Sequence, residues 1–193
     1  MTNEKSNSIL IIDFGSQYTQ LIARRVRECG VYSIVKPNTI TLKEINLINP
    51  RGIVLTGGPE SVKSKRKLSI DNKVFNLSIP ILGICYGMQL IGDYFNGKVD
   101  SSRKKEFGNS EFFVKKNSEV FRNIKSRKFN VWMSHGDKIN SIPRGFNVIG
   151  KSTNSSIAAI ANEKQNIFGL QFHPEVTHTN NGKIIINNFV ISI

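Results

Sequence analysis

The sequence predicts an α/β fold of three layers: a mostly parallel central sheet with flanking helices, and antiparallel additions late in the chain. Two observations carry that expectation. In the first half, short apolar runs alternate with segments of helical period, the pattern that places helices on both faces of a parallel sheet. In the second half, strand-like runs follow one another with few helices between them, so the later strands should join antiparallel.

Ser8-Ile9-Leu10-Ile11-Ile12 reads as a strand buried on both faces, ending at Asp13-Phe14-Gly15-Ser16. Leu21, Ile22, Val26 and Cys29 then recur at helical spacing, and Gly30 stands where a helix terminates. A second strand is expected at 31–35, a short helix at 42–48, and a third strand at 52–56 running into Gly57-Gly58-Pro59. The next buried strand, 81–84, meets Cys85 just before a helix that opens at Tyr86. Strands follow at 111–114, 130–133, 147–149, 157–161 and 167–172, and a last helix at 182–190. There is no internal repeat or interdomain linker. The expected organisation is an N-terminal extension over 1–7 and one domain over 8–193.

With 39% hydrophobic and 21% charged residues, the composition is that of a folded globular chain. No apolar stretch approaches the roughly 18 residues of a membrane span, and the N-terminus lacks the order of a signal peptide. A cytoplasmic setting is therefore expected, in which Cys29 and Cys85 stay reduced. The net charge of +13 raises the question of nucleic acid. Its basic clusters, Lys63, Lys65, Arg66, Lys67 and Arg103, Lys104, Lys105, have no interleaved aromatics, and no recognition motif accompanies them. Richness in Ile, Lys and Asn is compatible with compositional drift as a source of the charge, and neither a nucleic-acid nor a membrane partner is expected.

Gly83-Ile84-Cys85-Tyr86-Gly87 is the sharpest chemical signal, a G-x-C-x-G run on a strand-to-helix turn. Such a nucleophile elbow uses its glycines to make a tight, strained turn that lifts the central side chain out of the sheet. The helix N-terminus favours an anionic sulfur there, and the Tyr86 N–H points where an oxyanion would form. A nucleophilic cysteine needs a base and a group to orient that base. His173 in Phe172-His173-Pro174-Glu175 follows a strand, and Glu175 two residues on is near enough to orient its imidazole. Gly57-Gly58 supplies a turn whose N–H groups suit the other half of an oxyanion hole. There is no phosphate loop of the G-x-x-x-x-G-K-[ST] type, no dinucleotide glycine spacing, and no Cys or His pairing of the kind zinc requires. No metal or cofactor site is expected in the chain itself.

Taken together, these residues resemble the class I (triad) glutamine amidotransferases, whose signatures are a glycine-flanked cysteine elbow, a Gly-Gly loop and a C-terminal His-Pro-Glu segment. Within that family the wording is most similar to the glutaminase part of GMP synthetases. The similarity is carried by residues 12–21 from Ile12-Asp13-Phe14-Gly15-Ser16-Gln17, by Gly83-Ile84-Cys85-Tyr86-Gly87-Met88-Gln89, by Trp132-Met133-Ser134-His135-Gly136-Asp137, and by residues 171–179. Amidotransferase subunits of anthranilate or aminodeoxychorismate synthesis usually carry Leu and His at the places of Tyr86 and Met88. They also lack the Trp-Met-Ser-His-Gly-Asp run. A catalytically idle module on the same fold is the other alternative, opposed by the intact Cys85, His173 and Glu175.

The resemblance implies a flavodoxin-like fold and a glutaminase with Cys85 as nucleophile, His173 as general base and acid, and Glu175 as its orienting group. It implies Gly58 and Tyr86 as oxyanion donors. Gln89, the backbone of Ser134, His135 and Gly136, and the Asp137 carboxylate are implied to hold L-glutamine. It further implies a partner, an ATP-pyrophosphatase domain or subunit that uses ATP and Mg to activate XMP. That partner would receive the ammonia at a docking surface that includes His135 and Asp137.

Overall fold

A computed structural model describes residues 6–193, apart from the side chains of 102–104. Residues 1–5 of the expected N-terminal extension, and the side chains of Arg103 and Lys104 in the second basic cluster, lie outside the described residues. The first half of the chain runs β1 (Ser6–Asp13), α1 (Thr19–Glu28), β2 (Tyr32–Pro37), α2 (Leu42–Ile48), β3 (Pro50–Leu55), β4 (Ile81–Ile84) and α3 (Tyr86–Tyr94). The second half adds β5 (Lys98–Val114), β6 (Lys128–Ser141), β7 (Asn147–Ser152), β8 (Ala159–Asn162), β9 (Ile167–Leu170) and α4 (Gly182–Asn187).

The strands form one sheet in the order β2-β1-β3-β4-β9-β8-β7-β5-β6. The first five are mutually parallel, and β8, β7, β5 and β6 pair antiparallel. This is the expected mixed α/β architecture. Alternation along β1 explains its central place: Ile9 and Ile11 enter the core on one face, Leu10 and Ile12 the core on the other. All four are 0–1% exposed, and burying each such side chain stabilises by about 1.5–3 kcal/mol.

Helix α1 buries Ile22, Ala23 and Val26 and keeps Arg24 and Arg27 outward. Its first turn is fixed by Asp13, whose Oδ1 accepts from the N–H groups of Gly15 and Ser16 and from the Thr19 hydroxyl. A reciprocal capping box between Thr41 and Glu44 starts α2. Helix α3 is different, being buried from Tyr86 through Gly92. It can lie this close to the sheet because two positions lack a side chain. A Cβ on Gly83 would meet the Gly87 carbonyl at 2.6 Å, and one on Gly87 would meet the Leu55 carbonyl oxygen at 2.3 Å.

Several expected bounds change, among them the strand expected at 130–133, which extends over Lys128–Ser141, and the one expected at 157–161, which is Ala159–Asn162. The strand expected at 111–114 is the end of a 17-residue β5, which pairs with β6 from Lys98↔Ser141 to Phe113↔Lys128 with register shifts on the way. Gln171 and Phe172 fall outside β9, which ends at Leu170. The last helix changes winding, α4 giving way to a π-helical turn at Asn188–Ser192 that keeps Phe189 and Val190 buried. Among the described residues, no helix is long and apolar enough to cross a membrane.

Gly87→Ala is expected to destabilise by about 3 kcal/mol or more, because the carbonyl it would strike belongs to a central strand. Gly30→Ala, with a positive φ but open space around it, should cost only about 1–2 kcal/mol. Urea unfolding of both variants checks the ranking, and equal losses would contradict it.

Candidate active site

Parallel strands β1, β3, β4 and β9 are neighbours; the Gly57-Gly58 turn, Cys85 and the His173–Glu175 segment follow the carboxyl ends of β3, β4 and β9, while Ser134 to Asp137 come from β6. Register sets the level: Leu55 pairs with Gly83, and Ile84 with Leu170, so Cys85 and Gln171 leave the sheet side by side. The Cys85 N–H donates to the Leu170 carbonyl at 2.7 Å, a last ladder bond before the chain turns. At Cys85 the backbone then adopts φ 53° and ψ −103°. For a residue other than glycine this is strained, at a cost of about 1–3 kcal/mol, and it persists because the surrounding ladder and glycine contacts over-determine it.

Next to the elbow, the Thr56 carbonyl accepts from the Gly87 N–H, and the Thr56 hydroxyl accepts from the Phe14 N–H at 3.0 Å. One residue therefore ties the elbow, the Gly57-Gly58 turn and the loop after β1 together. Among the described residues, neither the Gly58 nor the Tyr86 N–H is given to a protein acceptor. The Tyr86 side chain itself is turned away. Burial pushes its phenol up to about 12, and its hydroxyl donates to the Leu68 carbonyl at 2.6 Å.

His173 and Glu175 follow β9, their Nδ1 and Oε1 atoms 2.7 Å apart and both residues buried. Burial alone would push the imidazole down. The Glu175 carboxylate and the Cys85 sulfur outweigh it and raise His173 to about 10. With Nδ1 committed to Glu175, Nε2 is the nitrogen left for the sulfur. The segment is clamped from β6: the His173 N–H donates to the Trp132 carbonyl, the Thr179 hydroxyl to the His173 carbonyl, and the Trp132 N–H to Thr179 Oγ1. Tyr18 packs edge-on against the imidazole at 5.0 Å between ring centres. Among the described residues, Glu175 Oε2 is buried without a hydrogen-bond partner.

Two open clefts of about 310 Å³ each meet at Cys85, Gly58, Pro59 and Ser134. One is lined by Ser16, Tyr18, Gly57 and His173. The other is lined by Tyr86, Gln89, His135, Gly136 and Asp137, which gathers the residues expected to hold a substrate. The Ser134 carbonyl accepts from the Cys85 thiol at 3.4 Å, and Asp137 Oδ1 accepts from Ser101.

His135 does not sit on a docking surface at the mouth. It is 4% exposed, its Nδ1 bonded to the Asp137 carbonyl and its Nε2 3.1 Å from Glu106. The carbonyl can only accept, so Nδ1 carries a hydrogen. Burial would raise the Glu106 carboxyl, but the bonds from His135 and Ser152 outweigh it and hold it below the usual carboxylate range. His135 thus braces this stretch of β6 against β5 from inside. His178, for its part, is exposed and lies against Trp132.

Sequence reasoning assigned no role to Glu106, Thr179, Tyr18 or Gln171. Each acts through a partner distant in sequence. Tyr18, Gln171 and Thr179 left a trace only as members of the stretches that carry the family resemblance, and Glu106 left none.

A model of the class-I glutamine amidotransferase family matches residues 10–193. A glutamine-hydrolysing GMP synthase of Prochlorococcus marinus is 50% identical over 194 residues, covering 100% of this chain and 37% of the relative. Its counterpart in Bacillus cereus is 46% identical over 98% of this chain, again 37% of the relative. The chain therefore spans just over a third of the length of these curated relatives. A solved structure from Thermoplasma acidophilum, described as that of a GMP synthase subunit, superposes with a TM-score of 0.88 at 31% identity, covering 97% of this chain and 94% of that one. A glutamine amidotransferase of Thermotoga maritima shares the fold, with a TM-score of 0.71 at 21% identity over 90% of this chain and 78% of that one.

The imidazole of His173 holds its proton more tightly folded than unfolded, so folding stability depends on pH. The contribution is complete below the ordinary histidine value of 6.5 and is lost as pH rises through about 10. Urea midpoints measured between pH 6.5 and 10 should fall more steeply for the wild type than for His173→Gln. Parallel profiles would contradict the pairing.

Proposed function

The chain belongs to the class-I glutamine amidotransferase family, and on that basis we propose that it is the glutamine-hydrolysing component of a GMP-forming synthetase. The observation that carries the proposal is the strained Cys85 backbone beside the His173–Glu175 pair, at a cleft that Asp137 also lines. L-glutamine fits that cleft with its α-ammonium toward Asp137 and its side-chain amide at the sulfur. The backbone of Ser134, His135 and Gly136 is placed along its length, and Gln89 beside it.

The Cys85 sulfur, its proton passed to His173, attacks the amide carbon. The carbonyl oxygen gains negative charge and takes the free N–H groups of Gly58 and Tyr86, donors fixed before the reaction begins. His173 then gives its proton to the amide nitrogen, and ammonia leaves. Water adds to the γ-glutamyl thioester with His173 taking its proton, and thiolate departure yields glutamate. Glu175 holds the ring in the one orientation that serves both steps. The sum is glutamine plus water giving glutamate plus ammonia.

Ammonia is of use to a synthetase only where an activated acceptor awaits it. The relatives' name, and the share of their length that this chain spans, support a partner domain or subunit of the ATP-pyrophosphatase kind, using ATP and Mg to activate XMP. With His135 turned inward, Asp137 and the rim of the clefts are the groups left to face it. A reducing cytoplasm, which keeps Cys85 as a thiol, is the setting we propose.

Cys85→Ala should lower ammonia release from glutamine by about 10⁴-fold or more. Mixed with an ATP-pyrophosphatase domain, ATP, Mg and XMP, the wild type should support GMP formation from glutamine, and the variant only from added ammonium salt. Equal ammonia release by the two proteins would defeat the proposal.

A further inference from the structure

Gln171 is 0% exposed, lies beyond the end of β9, and takes no part in the reaction as written above. Its orientation can be deduced by following hydrogens from an atom whose role is fixed. The Asp137 backbone carbonyl can only accept, and it takes a hydrogen from Gln89 Nε2 at 3.0 Å. That nitrogen has a second hydrogen, and it faces Gln171 Oε1 at 3.4 Å. The oxygen of the Gln171 amide is thereby assigned, and its nitrogen is the atom that faces Cys85 Sγ at 3.7 Å. The Gln171 backbone N–H, bonded to the Ala158 carbonyl, holds the residue in place.

We propose that Gln171 is a further catalytic residue, an N–H donor to the reacting sulfur, set in that role by Gln89. The proposal rests on the glutaminase reading for its place in the reaction. A thiol sulfur accepts hydrogen bonds weakly and an anionic sulfur strongly, so this buried amide discriminates between the two forms. The contact matters twice, when Cys85 exists as the attacking anion and again when it departs from the thioester as one. Neither charged side chain nor water is needed for it. Gln89 is left with both amide hydrogens committed, so it has only an oxygen to offer a substrate. That acceptor suits the ammonium group, not the carboxylate, of an amino acid.

The test is Gln171→Met, which keeps an unbranched side chain of similar volume and removes the donor. Alkylation of Cys85 by iodoacetamide without glutamine, followed by peptide mass spectrometry, reads the sulfur directly. Both that rate and kcat should fall by about 10-fold or more, with KM within about threefold of wild type. An unchanged alkylation rate, or a raised KM with kcat intact, would overturn the assignment. If the Met variant fails to fold, Gln171→Asn withdraws the donor by one methylene while remaining a buried amide, and the same outcomes decide. Wild type that releases no ammonia would remove the glutaminase reading, while the alkylation ratio would still decide whether Gln171 serves the sulfur.

Discussion

One backbone conformation organises this molecule, the left-handed φ at Cys85. A cysteine there is held by neighbours on every side: a ladder bond to Leu170 before the turn, the Thr56 carbonyl taking the Gly87 N–H after it, and glycines at 83 and 87 that admit close main-chain contact. Relaxing φ would draw the sulfur back toward the sheet and swing α3 away from β3. The strain of about 1–3 kcal/mol is small beside the burial of α3 and β4, so the fold imposes it without losing stability overall.

The second constraint is the placing of polar groups around that sulfur by bonds within the protein. Most are fixed by main-chain acceptors or by short side chains. Thr179 holds the His173 carbonyl, Thr56 holds the Gly57-Gly58 turn, and the Asp137 carbonyl orients Gln89 and, through it, Gln171. The Glu106–His135 pair does the same from beneath the 134–137 stretch of β6. Such anchoring leaves little for substrate binding to reorganise, and in this respect the site is prepared before glutamine arrives.

How much of this was legible in the sequence depended on how local its cause was. β1 declared itself because four consecutive residues enter two cores by simple alternation. The elbow declared itself because glycines at 83 and 87 have no other common reason to flank a cysteine between a strand and a helix. Pairing of His173 with Glu175 was legible from a spacing of two residues. The first two-thirds of β5 were not, since Lys, Asp, Ser and Arg there show no apolar period. Pairing with β6 holds that segment in place, with Val99 and Glu106 as its buried side chains among the described residues. The inward turn of His135 was hidden for the same reason, its partner Glu106 lying 29 residues away on that strand. Gln171 needed the register between β4 and β9, which only the assembled sheet supplies.

The central claim, that geometry and not exposure makes Cys85 the reactive thiol, can be tested on the chain's two cysteines in one experiment. Cys85 is buried and Cys29 is partly exposed, so access alone would favour Cys29. Treatment with a diazoketone analogue of glutamine, followed by peptide mapping, should place the label on Cys85 and leave Cys29 free. Comparable labelling of Cys29, or no labelling of either, would contradict the account.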